Sequence, residues 1–181
     1  MGNILLGLGF VFLGIGYMKD GFEDLKDGID LAQFAVEGYK GVILYTLIGA
    51  LATIILQSSS ATLALTITAL ATGQITYINA LGIAIGANIG TTITAAMGAM
   101  VSNANSKRMA VALFIFKSVT AVITIVVIYY LVDFVEIVAA MIGIDENDWA
   151  MKLALFHTIF NLSGLIIFSF FIHKLVAFLK T

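Results

Sequence analysis

The chain has 181 residues, 61% of them hydrophobic and 11% charged, with a formal net charge of −2. A soluble domain averages about 25% charged residues, so the composition is that of an integral membrane protein, and the length fits one transmembrane domain over 1–181. The charge balance argues against nucleic-acid binding. The absence of cysteine excludes disulfides, thiolate catalysis and cysteine metal sites. Proline is also absent, so any helix break must come from Gly, Ser or Asn.

The segment Asn3–Met18 is apolar, has no basic stretch before it, and reads as a membrane segment rather than a cleaved signal. It is short for a crossing, which needs about 20 residues. Residues 19–40 carry Asp20, Glu23, Asp24, Asp27, Asp30 and Glu37, with Phe22, Leu25, Ile29 and Val36 at helical spacing between them. That pattern suits an amphipathic helix at the membrane surface, or equally a solvated connector. Val42–Leu56 and Ala61–Thr72 follow, separated by Gln57-Ser58-Ser59-Ser60. The first arm reaches roughly 22 Å against a core of about 30 Å. The two arms make either one long helix or, as favoured here, a re-entrant hairpin with Gln57–Ser60 at its tip.

The segment Tyr77–Val101 is interrupted by Gly86-Ala87-Asn88-Ile89-Gly90-Thr91-Thr92 and reads as a broken membrane helix. Met109–Val132 is a span of ordinary length. Asp133–Trp149 reads as a loop with a short apolar helix near 137–142, and Leu153–Phe178 is the last span. The fold class is therefore all-α, a polytopic membrane bundle.

Hydrocarbon offers no water to an amide and three hydroxyls, so polar groups at that depth need other partners. A helix that stops inside the membrane frees carbonyls, and one that restarts there frees N–H groups and the positive end of its dipole. Ser60 is a candidate N-cap for a helix beginning near Ala61, and Thr91 or Thr92 for one beginning near Ile93. Two such N-termini together make an anion site. Carbonyls near Leu56 and Ile85, with the side-chain oxygens of Gln57 and Asn88, could coordinate Na⁺. The plainer readings are serines and threonines bonded back to their own helices, and glycines 86 and 90 serving close helix packing.

The strings Gln57-Ser58-Ser59-Ser60-Ala61-Thr62 and Gly86-Ala87-Asn88-Ile89-Gly90-Thr91-Thr92 resemble the paired signatures of the type II sodium/phosphate cotransporters. Ala154-Leu155-Phe156-His157-Thr158-Ile159-Phe160-Asn161 is similar to a segment of the bacterial members. The resemblance implies Na⁺-coupled transport of inorganic phosphate and a fold of two inverted repeats, each with a hairpin tip. It makes Ser58, Ser59, Ser60, Thr91 and Thr92 the candidate phosphate residues, and Gln57, Asn88 and Asn161 the candidate Na⁺ residues. The chain departs from the family pattern in holding one such repeat, and in having Lys117 where relatives tend to have Phe-Asn.

With four crossings, Lys107, Arg108, Lys174 and Lys180 fall on one side and Lys19, Lys26, Lys40 and Lys152 on the other. Orientation follows Lys and Arg, so the balance suggests two copies inserted in opposite senses as an antiparallel homodimer. A chance count or a fragment of a longer chain would give the same balance. Lys117 lies about nine residues past Arg108, roughly 14 Å along a helix. It is a candidate charge partner for the anion or a stand-in for the coupling cation; otherwise it snorkels or pairs with Asp133 or Glu136. His157 and Asn161 share one helix face, read mainly as structural hydrogen-bonders able to reach the hairpin tip, and His173 has no special role. No metal site beyond Na⁺ and no cofactor follows. The expected protein is a multi-pass secondary transporter of a cell inner membrane and not an enzyme, with a channel, or a carrier of another anion without Na⁺, as the alternatives.

Overall fold

A computed structural model of the chain describes residues 2–28, 36–172 and 175. Among the described residues there are seven helices: α1 (Gly2–Gly28), α2 (Gly38–Leu56), α3 (Ser59–Ala71), α4 (Tyr77–Met100), α5 (Ala104–Val126), α6 (Ile128–Met141) and α7 (Trp149–Ser169). Five have the length and apolarity to cross a membrane: Gly2–Gly21 of α1, then α2, α4, α5 and α7. The chain is an all-helical, polytopic membrane bundle.

α4 is its central pillar. Of its most apolar stretch 56% is buried, against 28% for α2 and α7 and 22% for α5. Leu81 and Ile85 of α4 meet Val42 of α2, Ile128 and Val135 of α6, and Phe156 and Phe160 of α7 in one core. α1 lies outermost and packs against α3.

The contact between α2 and α4 sets the topology. Gly82, Gly86 and Gly90 recur every fourth residue and face the α2 backbone at Val42, Thr46 and Ala50. A Cβ on Gly82 would stand 2.8 Å from the Val42 carbonyl oxygen, and one on Gly90 2.7 Å from that of Ala50. A Cβ on Gly86 would collide with the Thr46 carbonyl. Small residues at this spacing let helix backbones approach closely in membranes. The paired numbers rise together, so α2 and α4 run parallel and α3 must return between them.

Several expectations change. Gly86–Thr92 does not break α4, which is helical throughout. A helix interior tolerates single glycines at about 1 kcal/mol each, and here the α2 contact offsets that cost. α2 starts at Gly38, so the first arm has 19 residues rather than the fifteen of Val42–Leu56. Residues 19–28 continue α1, and 29–35 of the expected connector lie outside the described residues. α5 stops at Val126, but α6 resumes at once and carries Asp133 and Glu136 in a helix rather than a loop. Its Val135 and Ala139 face inward while Asp133 stays exposed. α7 begins at Trp149, capped by Asp148, whose carboxylate accepts from the Met151 N–H at 2.9 Å. His173, Lys174 and Lys180 lie outside the described residues.

Replacing Gly86 by Leu should lower the thermal unfolding midpoint of the detergent-purified protein by the equivalent of 1–3 kcal/mol or more, as for overpacking. Gly98→Ala, where an added Cβ meets open space, should leave it unchanged or slightly raised. Both are read from the fraction remaining monodisperse after heating.

Candidate functional site

The hairpin tip is a real interruption. Gln57 adopts the left-handed conformation, φ 52°, and ends α2. Such a conformation in a non-glycine residue costs about 1–3 kcal/mol and is held only where the surroundings demand it. Helix α3 restarts at Ser59 with Ser58, not Ser60, as its N-cap: the Ser58 hydroxyl accepts from the Ala61 N–H at 3.2 Å. The left-handed turn at Gln57 reverses the chain at once, which is why the helix restarts two residues earlier than expected. Four residues either side of the turn, the Thr53 hydroxyl donates to the Thr62 hydroxyl at 2.9 Å, both fully buried, and so pins the arms together. Ser58 and Ser59 are half-buried, while Gln57 and Ser60 are exposed. The N–H groups of the first helical turn lack intrahelical acceptors, so Ser59 and Ser60 present them at the positive end of the α3 dipole.

The second motif has a different geometry. With α4 unbroken, Thr91 and Thr92 cap nothing. The Thr91 hydroxyl donates to Ala87 O at 2.8 Å and the Thr92 hydroxyl to Ile89 O at 2.6 Å. The paired N-termini expected from the sequence reduce to one, at α3, and no helix end at Ile85 frees carbonyls. Gly86 and Gly90 serve close packing.

Asn88 turns away from that glycine face and meets Lys117 of α5, whose ammonium donates to the Asn88 side-chain oxygen. Lys117 therefore neither reaches Asp133 nor takes Glu136. Glu136 is held instead by Lys152 of α7, 2.7 Å away. Lys152 is 2% exposed, donates also to Glu146 O at 2.8 Å, and stacks its ammonium over Trp149. Asn161 turns to its own helix: its amide nitrogen donates to His157 O at 2.8 Å and meets His157 Nε2 at 3.1 Å.

The structure thus joins Asn88 to Lys117 and gathers Ser58, Ser59 and Ser60 at one turn. Among the described residues no hydrogen bond joins Gln57 or Asn161 to Asn88. The tip and Asn88 also stand at different heights. Thr53 lies beside Gly90, so the α2–α4 register carries residues 57–60 to the last turns of α4, on the order of 10 Å along the axis from Asn88. The register sets the tip beside the last turns of α4 rather than beside Asn88.

Two buried features were not read from the sequence. Asn79 is 1% exposed, and among the described residues neither its side-chain oxygen nor its nitrogen has a hydrogen-bond partner. The oxygen sits 3.1 Å from where a Gly41 Cβ would be. The Lys152–Glu136 pair joins α6 to α7, and its signal was an acid on a helix that sequence reasoning took for a loop.

The family model described as Na+/Pi-cotransporter matches residues 28–177, which include residues 57–62, residues 86–92 and the α7 segment. This chain belongs to the Na⁺/Pi-cotransporter family. Among the proteins similar to it is one of Escherichia coli strain K12 named for inorganic phosphate export, YjbB, 32% identical over 140 residues. That alignment covers 77% of this chain and 24% of YjbB. Proteins of the same name from Shigella flexneri and Escherichia coli O157:H7 match to the same extent. The chain spans about a quarter of the length of these curated relatives. No solved structure matches it.

Ser58→Ala should cost this family member about 1 kcal/mol through the lost cap, whereas Ser58→Asp should keep most of the stability. The ordering is checked by thermal unfolding of the three proteins in one detergent.

Proposed function

We propose that this chain moves inorganic phosphate across a bacterial inner membrane as one repeat of a secondary transporter, with Na⁺ as coupling ion. The observation that carries the reading is the left-handed break at Gln57–Ser58, which frees the N–H groups of Ser59 and Ser60 at the start of α3. Helix N-termini are ready anion sites without a fixed charge. Phosphate is favoured over other oxyanions by the family and by relatives named for phosphate export. No covalent chemistry is required. Alternating access brings the tip to one side and then the other. A carrier of this kind is reversible, so export and Na⁺-driven uptake are one cycle run in opposite senses.

The chain holds one hairpin, and we take the working unit to be an antiparallel homodimer. The balanced Lys and Arg count supports insertion in both senses. Asn88 is midway along Tyr77–Met100, so a two-fold axis in the membrane plane would set both copies' Asn88 at one depth. Gln57, Asn88 and Asn161 are the Na⁺ candidates, and the partner copy supplies what one protomer does not bring together. A second reading, phosphate movement without Na⁺, is favoured by one contact: Lys117 already holds the Asn88 oxygen that a Na⁺ would use.

In proteoliposomes, saturable uptake of radiolabelled phosphate should rise at least several-fold under an inward Na⁺ gradient. Equal uptake with and without Na⁺ selects the second reading, and no uptake in either condition overturns transport. Val101, 95% exposed at the α4–α5 turn, is a site for a single cysteine in a chain that has none. Labelling of Val101→Cys in intact cells should come from both faces of the membrane, and labelling from one face only rejects the antiparallel pair.

A further inference from the structure

We propose that Lys117 is the fixed positive charge of an oxyanion station at mid-height in the bundle, shared with Asn88 and Thr91 of α4; this rests on the phosphate reading above. Two helices place it there independently. Asn88 is at the centre of α4, and Lys117 stands thirteen residues after the start of α5 at Ala104, roughly 20 Å along its axis.

Among the described residues no carboxylate pairs with the charge at this position. α2, α3, α4, α5 and α7 contain no Asp or Glu at all. Among the described residues the ion pairs are Lys19–Glu23 and Lys152–Glu136. Among the described residues Lys117 has only the neutral Asn88 oxygen as a partner, one hydrogen bond for an ammonium with three donors. If its role were only to tie α5 to α4, an uncharged amide or hydroxyl would serve without the cost of carrying a charge to that depth. A visiting anion would supply the matching charge that the described helices around Lys117 do not.

The neighbouring groups fit a tetrahedral oxyanion such as phosphate or sulfate. Thr91 is one turn beyond Asn88 and half-buried, and its hydroxyl is parked on Ala87 O and Asn88 O. Turning that hydroxyl outward gives one donor, the Asn88 amide nitrogen gives another, and the Lys117 ammonium carries the charge-assisted bonds. Asn88 Oδ1 holds the ammonium in place while the station is empty. The serine tip, on the order of 10 Å along the axis, is then a first stop for the anion and Lys117 a second.

The test is equilibrium dialysis of ³²P-labelled phosphate against protein purified in a glycoside detergent free of phospholipid, so that only free phosphate can occupy the site. Sulfate serves as competitor. Lys117→Met should weaken phosphate binding at least ten-fold, and Lys117→Arg should stay within a few-fold of the unsubstituted chain. Should Lys117→Met fail to fold, Lys117→Met combined with Asn88→Leu removes charge and acceptor together and is expected to show the same loss. Binding and liposome uptake by a folded Lys117→Met or double variant at the level of the unsubstituted protein overturns the station while leaving the transport reading intact. If the unsubstituted protein neither binds nor moves phosphate, both fall.

Discussion

Backbone-to-backbone contact between α2 and α4 is the constraint on which the other elements depend. Three glycines on one stripe of α4 bring it against the carbonyls of Val42, Thr46 and Ala50, closer than any side chain would allow. The contact is parallel, so the chain between the two helices must turn back. α3 supplies the return, and the turn it needs is the left-handed residue Gln57 with the Ser58 cap. The polar tip is thus a consequence of the packing as well as a candidate for binding. Lipid tails are as apolar as the side chains they would replace, so close packing and hydrogen bonds, rather than burial from water, hold such helices together.

Polar groups in this bundle fall into three kinds. Most threonine hydroxyls bond back to a carbonyl of their own helix, as at Thr46, Thr66, Thr68 and Thr92, and so cost the lipid-facing bundle little. A few reach between elements: Thr53 to Thr62 closes the hairpin, and Lys152 to Glu136 joins α7 to α6. The third kind is left incompletely matched. Lys117 carries a charge with no carboxylate in any of the five helices α2 to α5 and α7, and the α3 N-terminus keeps N–H groups that its own helix cannot satisfy. Those two positions are the ones the proposed anion stations rest on.

Their separation in height bears on the working cycle. A single station at mid-depth would need both motifs at one level. Here the serine tip is level with the end of α4 and Lys117 with its middle. On the proposed reading, the two positions would act as successive stations for the anion rather than as one site.

Membrane class, helical architecture, a helix break within residues 57–60 and family membership were all legible in the sequence, though the break is confined to Gln57 and Ser58. Each depends on local composition or on short strings: apolar runs of spanning length, four consecutive polar residues in the midst of them, and two motifs with their spacing. The character of Gly86–Thr92 was not legible, because a glycine pair around an asparagine reads alike as a helix break or a packing stripe. Only the neighbour at Thr46 and Ala50 decides between them. The same is true of Glu136, which made its helix read as a loop and which Lys152 neutralises from sixteen residues away. The partner of Lys117 also waited on the fold. Sequence spacing fixes which residues share a helix face, but which helix that face meets depends on the α2–α4 contact and the antiparallel return of α5. Those are long-range contacts, and no local pattern encodes them.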